Sequence, residues 1–156
     1  MEIERKFLVT SDAWQSNASS ATRMRQGYLS TGSLTVRARV AGDQAWLTLK
    51  GATEGITRVE REYPIPVDEA EHLLEHNVTG AVIDKTRHRV PHGDQEWEVD
   101  VFHGDNEGLV VAEIELSAED ETVDIPDWAG AEISHDRRYR NGRLATAPYA
   151  GWPDEF

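Results

Sequence analysis

The residues in this chain that could do chemistry are like-charged pairs set two positions apart. The acidic pairs are Glu2 and Glu4, Glu60 and Glu62, Glu98 and Asp100, and Glu113 and Glu115. The basic pairs are Arg37 with Arg39 and Lys85 with Arg87, while Lys6 extends the first acidic pair and Lys50 ends an LTLK run. On an extended chain, side chains two apart share a face, and like charges there repel unless something of opposite sign compensates them. Carboxylates in such numbers suit a hard divalent cation, which takes oxygen ligands. The bases suit phosphate oxygens, which arginine can grip bidentately. Lys6, Lys50 and Lys85 are the only lysines, and all three lie in this array.

The elements that must position these side chains show a period of two, the mark of strands. It runs through residues 1–9, 23–30, 33–40, 44–51, 57–65, 81–90, 95–104 and 109–116. Turn residues at 41–43, 92–94 and 105–108 join neighbours closely, which predicts an antiparallel meander. The best helix runs from Val67 to about Asn77, with Asp68 as a cap, Glu71 as its capping-box partner and Gly80 beyond the end. Shorter helical turns are expected at 11–17 and 138–144. Between the charges stand Val36, Ala38, Val99, Val101, Ala112 and Ile114. Two architectures satisfy this alternation. The charges can face bulk water around an apolar core, or they can line a wet interior with the apolar face covered outside.

Length and composition set limits. At 156 residues with 38% hydrophobic and 29% charged side chains, one globular domain over 1–156 is expected. The formal charge of -13 opposes binding to nucleic acid or anionic membrane. With no cysteine, disulfides and thiolate chemistry are excluded. No apolar run approaches a membrane span and the N-terminus lacks a secretory pattern, so a cytoplasmic location is expected. The charged array is itself nearly neutral, so most of the net acidity lies elsewhere.

The ordered motifs resemble those of the CYTH, or triphosphate tunnel metalloenzyme, family. The N-terminal E-x-E-x-K is Glu2-Ile3-Glu4-Arg5-Lys6, followed by Arg37-Ala38-Arg39, Lys50, Glu60-Arg61-Glu62, Lys85-Thr86-Arg87, Asp100 and Glu113-Ile114-Glu115. The closing DRRYRNGRLA is similar to the ending of short bacterial members, through Arg138, Tyr139, Asn141 and Leu144. The resemblance implies an α+β protein: an eight-stranded antiparallel closed β-barrel, or tunnel, with a few helices outside. It also implies hydrolysis of a triphosphate with magnesium or manganese, inorganic tripolyphosphate being the leading substrate and water activated by the metal the nucleophile. On this basis Lys6, Arg37, Arg39, Lys50, Lys85 and Arg87 are assigned to substrate. Glu2, Glu4, Glu113 and Glu115 are assigned to metal, and Glu60, Glu62 and Asp100 to a second metal or the attacking water. Glu98 is left to a salt bridge. The alternatives are a thiamine or nucleoside triphosphatase, or a module that binds polyphosphate without turnover.

Other features carry less. His72 and His76 have a zinc-compatible spacing but flank the apolar helix face, so solvated side chains are expected. Tyr28 could enter an interior or simply pack, His88 is expected outside, and residues 51–55 are expected to turn. The five tryptophans are expected in core or covering positions.

Overall fold

The structure is a computed structural model that describes residues 1–145 and 147–149. Trp152 and Pro153, expected as a covering residue and a breaker, lie outside the described residues. Among the described residues nine strands occur: β1 (Glu2–Val9), β2 (Ser20–Thr31), β3 (Thr35–Ala41), β4 (Gln44–Glu54), β5 (Thr57–Ile65), β6 (Ile83–His92), β7 (Gln95–Phe102), β8 (Val110–Glu115) and β9 (Ala129–Glu132). Helix α1 (Val67–His76) lies between β5 and β6, and the short α2 (Asn141–Leu144) follows β9.

All pairings are antiparallel, in the order β5-β4-β3-β2-β6-β7-β8-β1, and β5 pairs back onto β1 to close an eight-stranded barrel. The closing contact is short, Glu2 opposite Arg58 and Ile3 opposite Thr57. Farther along, β1 turns from β5 to β9, with Phe7 opposite Glu132 and Val9 opposite Ala129. β9 has no alternation to announce it. Its register depends on Gly130, where a Cβ would collide with Thr10 Cγ2.

The apolar faces point outward and are covered. Phe7, Trp97, Val99, Ala112 and Ile114 are buried with Trp14 and Trp128. Trp97 meets Phe7 and Trp128 at ring-centroid distances of 5.5 and 5.7 Å. Burying aromatics of this size supplies much of the driving force for holding the barrel wall in place. Helix α1 lays Ala70 and Leu74 on Ala38, Val40 and Ala45. A third cluster contains the C-terminal Tyr139, Leu144 and Ala145 together with Tyr28, Ile83, Phe102 and Val111 from the strands. Ile83 shares parity with Lys85 and Arg87, and Val111 with Glu113 and Glu115, so this cluster fills the barrel interior at one end. The architecture is the enclosed one.

Several local expectations are corrected. Pro66 is the N-cap of α1, and neither Asp68 nor Glu71 caps it. Pro66 supplies no hydroxyl or carboxylate, and Glu71 is instead engaged by Arg25 across to β2. Residues 51–54, expected to turn, extend β4, and only Gly55 (φ 60°) and its neighbour reverse the chain. The short helical turn expected at 11–17 is present, as a 3-10 helix over Ala13–Asn17. His88 stacks on Trp14 at 4.8 Å between centroids, outside the wall. No helix among the described residues is long and apolar enough to cross a membrane.

Candidate active site

The barrel encloses a cavity of about 970 Å³. Its lining includes Glu2, Glu4, Lys6, Arg37, Arg39, Lys50, Glu60, Glu62, Lys85, Arg87, Glu113 and Glu115, so strand parity alone brings twelve of the thirteen expected residues together. Asp100 is the thirteenth. It has no exposed surface and sits in the wall behind Lys85 and Arg87. Glu98 lines the cavity and lies 3.4 Å from Arg87.

The basic residues gather where β3 and β6 contribute to the wall. Arg37 is 6% exposed and weakly compensated, whereas Arg87 is met by Asp100 at 2.8 Å, Glu98 at 3.4 Å and Glu113 at 3.5 Å. Arg37 Nη2 donates to Thr48 Oγ1 (3.2 Å), its nearest carboxylate is Glu62 at 3.7 Å, and its Nε is buried without a partner. A buried donor left unpaired costs free energy unless a ligand accepts from it. Arg39 donates from Nε to Gln26 Oε1 (2.7 Å) and, among the described residues, has no ion pair. Burial, with Arg37 and Arg87 adding repulsion, pushes its guanidinium down to about 9. Asp100 receives Lys85 Nζ (2.7 Å) and Arg87 Nε and Nη2 (2.8 and 2.9 Å). Burial favours its neutral form, but Arg87 and Lys85 outweigh that and hold it well below the ordinary carboxylate range. It thereby fixes the direction of both cations. Unpaired and braced cations around one void make an anion site.

The acidic residues gather on β1 and β8, with Glu4 directly opposite Glu115 and Lys6 opposite Glu113. β7 places Glu98 opposite Glu113 on the other side. Lys6 Nζ stands 3.6 Å from both Glu4 and Glu113. Lys50 Nζ donates to Glu2 (3.0 Å) and is 3.8 Å from Glu60. Compensation is incomplete. Burial, then repulsion from Glu113, pushes Glu4 up to about 7. Burial and the neighbouring Glu60 also raise Glu2. Glu113 is drawn down to about 2, because Lys6 and Arg87 overcome its burial. Glu115 makes no ion pair among the described residues.

This wall therefore carries more negative charge than its lysines neutralise, and its donors are all oxygen, as a hard divalent cation requires. Among the described residues no three carboxylate or imidazole groups converge closely enough to ligate one ion alone. That spacing fits a cation of the magnesium type, which keeps several waters and shares its remaining positions between one or two carboxylates and substrate phosphate. His72 and His76 stack on one another at 4.5 Å, on the helix and away from this wall.

Sequence reasoning missed part of the lining. Arg58 has the same parity as Glu60 and Glu62 on β5 and points inward with them, a signal present in the TRVERE run but passed over. Ser134, Arg137, Arg140 and Asn141 also line the cavity. They lie after β9, on short helical turns and the chain between them, where no strand period shows which way a side chain faces. Tyr28 is buried, lines the cavity, and lies 3.5 Å through its hydroxyl from Gln26 Nε2.

A barrel closed around opposed acidic and basic walls defines the class, and comparison with known proteins agrees. Residues 1–146 match the family model described as CYTH domain, and the chain belongs to that family. It is 45% identical over 154 residues, 98% of each chain, to a protein of Acetivibrio thermocellus named "Inorganic triphosphatase". A protein of the same name from Nitrosomonas europaea is 38% identical over 150 residues, covering 92% of this chain and 96% of the other. A crystal structure described as that of an inorganic triphosphatase superposes with a TM-score of 0.67 at 36% identity, over 93% of this chain and 94% of that one. Membership of the family implies dependence on a divalent metal.

Proposed function

We propose that this protein hydrolyses inorganic tripolyphosphate to pyrophosphate and orthophosphate, using magnesium or manganese. The observation that carries the reading is the cavity's division: Arg37, Arg39, Lys85 and Arg87 on one wall, with a buried unpaired donor among them, face under-compensated carboxylates on the other. Phosphoryl transfer needs positioned, neutralised oxygens and an aligned nucleophile, with little covalent chemistry from the protein. The names of the two curated relatives favour inorganic triphosphate over a nucleotide or thiamine ester.

Arg37, Arg39 and Arg87 hold non-bridging phosphate oxygens, with Arg87 and Lys85 aimed by Asp100. Lys50, held by Glu2 and near Glu60, reaches the substrate from the opposite side of the void. Glu2, Glu4, Glu113 and Glu115 would hold the cation, which supplies charge neutralisation and lowers the pKa of water. Glu60 and Glu62 accept hydrogen bonds from the attacking water and orient it toward the terminal phosphorus. Attack there breaks one P–O–P bridge, and the leaving pyrophosphate oxygen departs against the basic wall. Asp100 acts through its two cations and does not touch substrate.

Orthophosphate release from tripolyphosphate, ATP and thiamine triphosphate, with magnesium, manganese or chelator, tests this. Tripolyphosphate should give the highest kcat/KM, chelator should abolish turnover, and Glu115→Gln should lower kcat/KM by roughly 10²–10³. Tight tripolyphosphate binding without release, or a preference for ATP, would refute the reading.

A further inference from the structure

The cavity contains a cationic group that the reading above leaves without a task. Arg58 on β5 lines the cavity, and its guanidinium is braced by neutral acceptors only: Nε donates to the Gly51 carbonyl (2.5 Å) and Nη2 to Thr35 Oγ1 (2.8 Å). Arg137 and Arg140, from the chain between β9 and α2, line the same cavity. Among the described residues none of the three has a carboxylate partner. The nearest acid in sequence, Asp136, is taken by Arg138. Arg140 is partly buried, and burial, followed by repulsion from Arg58 and Arg137, pushes its guanidinium down from the ordinary range. The charges that depress Arg39 are a different pair, Arg37 and Arg87. Arg58 is tied to Thr35 at the first residue of β3, while Arg37 and Arg39 stand two and four residues farther along the same strand face.

We propose that Arg58, Arg137 and Arg140 form a second phosphate-anion subsite on the C-terminal side of the cavity, apart from the wall formed by Arg37, Arg39 and Arg87. Three guanidinium groups without a carboxylate partner among the described residues, around partly enclosed space, repel one another, and an anion with several oxygens relieves that repulsion while accepting from their remaining N–H groups. Arg58, fixed by its two neutral acceptors, is the preorganised member. Arg137 and Arg140 come from the segment that packs Tyr139 and Leu144 into the barrel, which sets their approach. The ligand is a phosphate group of orthophosphate type. Its source is either the far end of a linear phosphate chain longer than tripolyphosphate, or orthophosphate left by hydrolysis.

The site goes beyond the triphosphatase reading, and its test has a readout independent of turnover. Isothermal titration of orthophosphate into the whole chain should resolve two classes of binding event. In the Arg137→Gln/Arg140→Gln double variant one class should be lost, and Arg140→Lys, which keeps the charge, should retain it. Kinetics separate the sources. If the chain end is the ligand, the double variant should raise KM for tetraphosphate about fivefold more than KM for tripolyphosphate, the effect of losing a partly solvated charge contact. If released orthophosphate is the ligand, its inhibition constant should rise about fivefold and the KM ratio should stay as in the wild type. A double variant that folds, as judged by circular dichroism, and binds orthophosphate as the wild type does would overturn the subsite. So would a charge-retaining Arg140→Lys variant that behaves like the double variant. Failure of the wild type to release orthophosphate from tripolyphosphate would instead count against the triphosphatase reading.

Discussion

Asp100 has no surface in contact with water, yet it keeps its charge because Arg87 and Lys85 grip it together. Neutralising it would strand Lys85, which is fully buried. Breaking a buried pair by removing one partner costs about 3–5 kcal/mol, far more than the pair's net worth against an apolar replacement. Asp100→Asn should therefore lower the unfolding free energy by that amount near neutral pH, measured by urea denaturation. The pH dependence follows from the sign of the shift. The folded state holds Asp100 below its ordinary value of 3.8, so its stabilisation is present above about that pH and is lost as the pH falls toward the folded value. The gap between wild type and variant should accordingly be wide at about pH 7 and narrower near about pH 2. A gap that is absent, or equal at both, would show that Asp100 is not the ion-pair anchor described here.

At the scale of elements, the strands were legible because charge and apolar residues alternate so strictly that parity alone placed twelve site residues around one void. Parity did not distinguish side chains that line the void from Asp100 behind its wall, since both point inward and only packing separates them. It was also silent about the strand added to β1 beyond the closed barrel. β9 is four residues of AGAE with no alternation, and its pairing depends on Gly130 fitting against Thr10. The cap of α1 was misjudged because the ordinary capping residues are present but Glu71 has a stronger partner in Arg25. Close backbone approach also governs where α1 sits. A Cβ on Gly27 of β2 would collide with Val78 Cγ1 and come within 3.0 Å of Leu74 Cδ2. Gly27→Ala should thus push the helix and the chain after it off the barrel, costing about 1–3 kcal/mol, the usual penalty for overpacking. Thermal unfolding measures it, and an unchanged midpoint would mean that this contact relaxes without cost.

Across the whole molecule, the chain carries a charge of -13 while concentrating its lysines and its phosphate-directed arginines in one enclosed cavity. Such a field repels anions in general while the cavity's basic wall attracts them, so selectivity arises from enclosure as much as from contact. Every part of the functional account depends on cation and triphosphate meeting inside the barrel. The most direct measurement is a crystal structure with manganese and tripolyphosphate, with the metal located by its anomalous scattering. The account predicts a manganese peak beside Glu2, Glu4, Glu113 and Glu115, and phosphate density against Arg37, Arg39 and Arg87. Manganese and phosphate bound only outside the barrel, with the cavity filled by water, would contradict it.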